Sequence, residues 1–151
     1  MSKSNSFETS LLQLVFNNTN IANIGDVTGL RGSTAVGSLY LSLHTADPGE
    51  AGTQATSEIS YTGYARQAVA RTSGNFAVSG NTMSLNVNVD FPESTGGTGG
   101  TVTHFGIGTD PSGVGTLLYK GTVTPNIVVQ LGVTPRYKGV PSGTPSTITE
   151  D

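Results

Sequence analysis

Short alternating runs of apolar and polar residues recur along this chain about every ten residues, each closed by glycine, proline or asparagine. Leu39, Leu41 and Leu43 alternate with Tyr40, Ser42 and His44, so the two sets lie on opposite faces of an extended segment. Further candidate strands fall at 64–72, at 75–78 before a Ser79-Gly80-Asn81 turn, at 102–109, at 116–123 and at 127–131. The clearest alternation is Leu85, Val87, Val89 and Phe91 against Asn86, Asn88 and Asp90, closed by Pro92, which has no N–H to give to a ladder. Turn-separated strands without a helix after each one predict a mainly β fold, an antiparallel β-sandwich or a small, jelly-roll-like barrel.

One α-helix is expected, near the N-terminus at about residues 6–17. Asn5 and Glu8 have capping-box spacing, and Phe7, Leu11, Leu14 and Val15 form an apolar stripe that Leu12 and Phe16 widen. The glycine-rich run Ser94–Thr101 reads as a flexible loop. Beyond Val133 the chain is rich in proline and poor in apolar residues, so residues 1–133 read as a single domain and 134–151 as an extended arm.

Charged residues make up only 11% of the chain, against roughly 25% in an average soluble domain. That composition suits a surface covered by Thr, Ser and Asn, or one that ends up against other subunits. The net charge is −3, and the basic residues are dispersed rather than clustered, so no phosphate-binding patch is expected. There is no cysteine, hence no disulfide and no thiolate chemistry. Neither a signal peptide nor a membrane span is read, so the expectation is a soluble product made in the cytoplasm, with no nucleic acid and no membrane among its partners.

Catalytic patterns are missing as well. No HExxH, G-x-S-x-G or phosphate-binding glycine loop occurs, and neither His44 nor His104 belongs to a cluster at ligand spacing. The reading is a non-enzyme without cofactor or metal. His44 stands three residues before Asp47, and His44, Asp47, Pro48 and Gly49 are expected to stabilise a turn, with a His44–Asp47 hydrogen bond across it. Candidate contact residues are Tyr40, His44, Tyr61, Tyr64, Asn86, Asn88, Arg136 and Tyr137; of Tyr61 and Tyr64, one is expected buried and the other at an interface.

Three segments are distinctive in wording: LHTADPGEAG at Leu43–Gly52, YTGYAR at Tyr61–Arg66 and THFGIG at Thr103–Gly108. With these, the stretch from Phe7 to about Tyr137 resembles small structural proteins of tailed bacteriophages, of the tail-fibre-like and capsid-decorating kinds. The resemblance implies a place in the virion and carries no catalytic residue. A fibre shaft would show heptads, G-X-Y triplets or internal repeats, and none is present. The first expectation is therefore a capsid decoration (cement) protein, a homo-oligomer bound to other virion proteins, above all the major capsid protein. The alternative is a tail fibre or tail-tip component that touches the host surface.

Overall fold

The computed structural model describes residues 2–25, 29–139 and, as backbone, 147–149. Its elements are α1 (Asn5–Asn17), β1 (Ser38–His44), β2 (Gln67–Ala70), β3 (Phe76–Ser79), β4 (Thr82–Leu85), β5 (Val89–Asp90), β6 (Gly100–Gly108), β7 (Leu117–Val129), β8 (Arg136–Tyr137) and β9 (Thr147–Thr149). The protein is mainly β, its described strand pairs are antiparallel, and the helix lies at the N-terminus. None of the described sheets closes into a barrel. The chain divides into two compact units: one from Met1–Ser38, Ala70–Asn88 and Lys138–Asp151, the other from Leu39–Val69 and Val89–Tyr137.

In the first unit, α1 covers the β3–β4 hairpin, and β9 pairs with the outer side of β4. The buried side of the helix is Glu8, Leu12 and Phe16, with the Phe16 ring 5.2 Å from Phe76. This shifts the expected stripe. Phe7 is 36% exposed, Leu11, Leu14 and Val15 are half-buried, and the residues expected only to widen the stripe make the core. The N-cap is Ser4 rather than Asn5, because Ser4 holds the extended backbone that a cap needs and Asn5 is already helical. Glu8, expected to reach back to the cap, is buried instead. At the other end Asn18 turns left-handed and the Thr19 N–H bonds the Gln13 carbonyl. Arg71 then donates to the carbonyls of Leu14 (2.5 Å) and Val15 (2.6 Å), placing a cation where the helix dipole is negative.

The second unit holds a four-stranded sheet in the order β2-β1-β6-β7 and the β5–β8 ribbon. Leu41, Leu43, Phe105, Ile107 and Val129 are buried in it, and the Phe105 ring stands edge-on to Tyr137 of β8 at 4.9 Å. In the 134–151 segment expected as an arm, β8 is therefore a paired strand of the second unit, with Tyr137 buried: Val89 pairs with Tyr137 and Asp90 with Arg136. The rest of that expected arm lies partly outside the described residues.

Two strand expectations change. The alternating run 85–91 is not one strand: β4 ends at Leu85, the chain bends at Val87, and β5 begins at Val89. Leu85, Val89 and Phe91 are buried as the alternation demands, but in different units. Conversely, 117–129 forms one long strand. Val102 pairs with Ile127 and His104 with Thr122, so residues 123–126, Pro125 included, bulge from the ladder. Proline is tolerated there because β7 is an edge strand.

Candidate functional site

The three distinctive segments meet in the second unit. β1 carries LHTADPGEAG into the long connection 45–66, which closes with YTGYAR, and THFGIG is the second half of β6. β1 and β6 are paired with His44 opposite His104, Leu43 opposite Phe105 and Ser42 opposite Gly106. Both faces of β1 are buried from Leu41 to His44. Leucines cover one face. The other, polar in sequence, is covered by the connection itself.

His44 anchors that cover. Its Nδ1 lies 2.8 Å from the Thr56 carbonyl and its Nε2 2.8 Å from the Ser42 hydroxyl. A carbonyl only accepts, so Nδ1 carries the proton and Nε2 accepts from Ser42 in the neutral ring. Burial pushes the His44 pKa below its ordinary value of 6.5, against the opposing pull of the Thr56 hydrogen bond and the Glu58 charge. Backbone pairing continues the attachment: the N–H of Thr45 bonds the Ser57 carbonyl and that of Ile59 the Leu43 carbonyl.

A second polar group ties the end of the connection to its middle. Arg66 grips Glu58 with two parallel bonds, Nε to Oε1 and Nη2 to Oε2, each 2.7 Å. The two side chains are 3% and 16% exposed, so this fork is screened little by water. The guanidinium also donates to the carbonyls of Asp110 (3.1 Å) and Gly113 (2.6 Å), taking up the turn at Asp110-Pro111-Ser112-Gly113. Glu58 holds the Arg66 pKa above its ordinary value. Tyr64 donates to Glu58 Oε1 at 2.8 Å and accepts the Leu43 N–H at 3.1 Å, and burial drives its pKa far up. Gln54, fully buried, accepts the Asp110 N–H at 3.0 Å and lies 3.4 Å from the Tyr40 carbonyl.

This network explains the glycines of THFGIG. A Cβ at Gly106 would stand 2.7 Å from both His44 Nε2 and Ser42 Oγ, and one at Gly108 would overlap Gln54. Either side chain would evict the residues that fasten the connection.

The sequence-predicted residues fall into place around it. His44 and Tyr137 are buried, which corrects the expectation that they offer contact surface, and of the tyrosine pair Tyr61 is the buried one. Tyr61 donates to the Pro92 carbonyl at 2.9 Å and stands edge-on to the half-buried Tyr64, which stacks on Phe91. Tyr40 and Asn86 are half-buried, and Asn88 is exposed with its Oδ1 accepting the Gly139 N–H. Arg136 is exposed and forked onto Asp90. The expected His44–Asp47 bond is replaced. Both nitrogens of His44 are engaged elsewhere, while Asp47 accepts the Gly49 N–H at 2.8 Å and meets Lys120 at 3.0 Å. The Gly49 N–H, then Lys120, lower the Asp47 pKa.

The loop at 94–101 is also more ordered than its glycines suggested. The Thr62 N–H bonds the Gly96 carbonyl and the Thr95 N–H the Thr62 carbonyl, Ser60 bridges Gly99, and Ser94 donates to the Val133 carbonyl and accepts from the Gly132 N–H. Gly96, Gly97, Gly99 and Gly100 take positive φ values that permit this close pairing. The bonds of Gln54 and Arg66 to the 110–113 turn join distant parts of the chain, and Glu58 and Arg66 lie in an irregular connection without strand or helix period, so no spacing marks them as partners; only the isolated charge of Arg66 in a chain so poor in charge hints at the pair.

A family model for podophage GP4 fiber I protein gp80 matches residues 2–138. The chain belongs to that family. No curated protein matches it. The match with the gp80 fibre family includes all three distinctive segments and reaches into both units, and its description is that of a bacteriophage virion structural protein. Chemistry at the brace agrees with a structural part. Ser42 and His44 have the spacing of a nucleophile and its base, but both are 0% exposed, so the hydroxyl faces no substrate. Among the described residues no group of three or more His, Cys, Asp or Glu stands together to hold a metal ion. No described helix is long and apolar enough to cross a membrane.

Proposed function

We propose that this protein is a non-catalytic, fibre-type component of a phage particle, whose braced connection 45–66 presents fixed loops to other virion proteins or to the host surface. The observation that carries this reading is the brace. Three residues of the distinctive segments with chemical potential, His44, Tyr64 and Arg66, are engaged in holding backbone, which favours shape over reactivity as the role of this part of the segments. Membership of a fibre family supports it.

Decoration of the capsid, with the major capsid protein as partner, is the second reading. It is favoured by the short elements: a 13-residue helix and small sheets, with nothing resembling a repetitive shaft among the described residues. Gold-labelled antibodies against the protein, applied to intact particles, separate the two. Labelling at tail or fibre ends is the expected result, and labelling over the head surface replaces it with decoration. Particles that carry the protein at neither place would remove the virion reading altogether.

A further inference from the structure

The chain has two histidines, and they stand directly opposite each other, His44 on β1 and His104 on β6. Paired residues of an antiparallel ladder put their side chains on the same face, with Cβ atoms about 5 Å apart. This is the face that the connection 45–66 covers. His44 is fully buried there, and His104 is half-buried with its Nδ1 2.9 Å from the Thr103 hydroxyl. The hold of His44 on the connection requires a neutral ring: Nδ1 donates to the Thr56 carbonyl while Nε2 accepts from Ser42. A second ring proton would set Nε2–H against a hydroxyl that now donates to it, and would place a charge where water does not reach.

The surroundings offset that charge little. From the connection, Glu58 faces His44, but its carboxylate is already forked onto Arg66 and bonded by Tyr64, and the Arg66 cation lies close. From β6 comes His104. On β7, Thr122 pairs with His104, and Lys120 is held by Asp47 and Glu50, with Asp47 near enough to feel the His104 charge. Burial lowers the His44 pKa most; Thr56 and Glu58 oppose it, and the Arg66 and His104 charges add to it.

We propose that the two histidines form an acid-sensitive catch on the connection 45–66: as both rings become charged, the connection lifts from the sheet while β1, β6 and β7 stay paired. Histidine changes charge between about pH 5 and pH 8, and like charges directly opposite each other repel. In the lifted form both rings reach water and take up their protons freely. The backbone bonds that open are those from the Thr45 N–H to Ser57 and from the Ile59 N–H to Leu43. The catch rests on the reading of the connection as the presenting element, but it is tested on the isolated chain, so it can fail while particle labelling succeeds, and the reverse.

Native-state hydrogen exchange of the full chain in low urea tests it, with protection corrected for the intrinsic pH dependence of exchange. The Thr45 and Ile59 amides are expected to exchange through an opening that is more frequent and less urea-dependent than the one that frees the β6–β7 ladder. Their protection should fall about tenfold from about pH 7.5 to about pH 5. His104→Gln should shrink that fall, and His104→Lys, which keeps a cation opposite His44, should preserve it. In His44→Asn the protection should be level over this range, whether the connection is held tightly or loosely. Unchanged protection in the wild type, Thr45 and Ile59 amides that exchange only together with the β6–β7 ladder, or a His104→Gln profile equal to that of the wild type overturns the catch.

Discussion

Arg66 does the work of several residues, because its five donors reach a carboxylate and two carbonyls at once. Truncating it would leave Glu58 with a desolvated charge and two turn carbonyls unpaired. Arg66→Ala should cost about 3 kcal/mol in denaturant unfolding, and Arg66→Lys should recover only part of that, since an ammonium cannot make the fork. Equal stability of the wild type and the alanine variant would mean that the brace is ornamental. His44 gives the fold a pH dependence of definite sign. Its pKa is lowered by burial, so between the ordinary 6.5 and the lower folded value the unfolded chain takes up a proton that the folded chain refuses. Its contribution is therefore complete above pH 6.5 and is lost as pH falls through the folded value. Urea midpoints measured from about pH 7.5 down to about pH 5, above the range where carboxylates dominate, should decline for the wild type and stay flatter for His44→Asn.

Among the elements, α1 shows how periodicity can be read correctly and still aimed wrongly. The sequence pattern offers two overlapping stripes, and the hairpin it packs on chooses the one through Leu12 and Phe16. Phe16→Ala should then cost about 3–5 kcal/mol through the cavity it leaves against Phe76, while Phe7→Ala should cost less than about 1 kcal/mol. Thermal melts of the two variants would expose the reverse order if the expected stripe were the core after all. The run 85–91 makes the same point for strands. Alternation records which side chains are buried, and it is satisfied at Leu85, Val89 and Phe91 even though the ladder breaks between them.

For the whole molecule, the path of the chain matters more than any one element. It leaves the first unit near Ser38, returns near Ala70, leaves again after Asn88 and returns near Lys138. Neither unit is a contiguous stretch, so a cut in the sequence does not separate them. A chain ending at Val133, where the sequence suggests an arm begins, would lose β8, the buried Tyr137 and the partner of β5. It should be insoluble or melt well below the full chain. A truncated protein with an unchanged melting curve would restore the detachable arm.

The mainly β class, the antiparallel pairing, the N-terminal helix and the faces of β1 follow from the sequence by itself, because they depend on local alternation, turn residues and caps within a few positions. The family resemblance was likewise carried by wording alone. What only the tertiary structure decided is what that wording is for. His44 meets Thr56 and not Asp47, Arg66 meets Glu58 and the turn at Asp110–Gly113, and Gly106 and Gly108 are small because Ser42, His44 and Gln54 occupy the space above them. These partners are joined by loop closure, which has no period in sequence. A long connection can return to many places at similar entropic cost, and the hydrogen bonds that select one of them form only when the sheet beneath is in place.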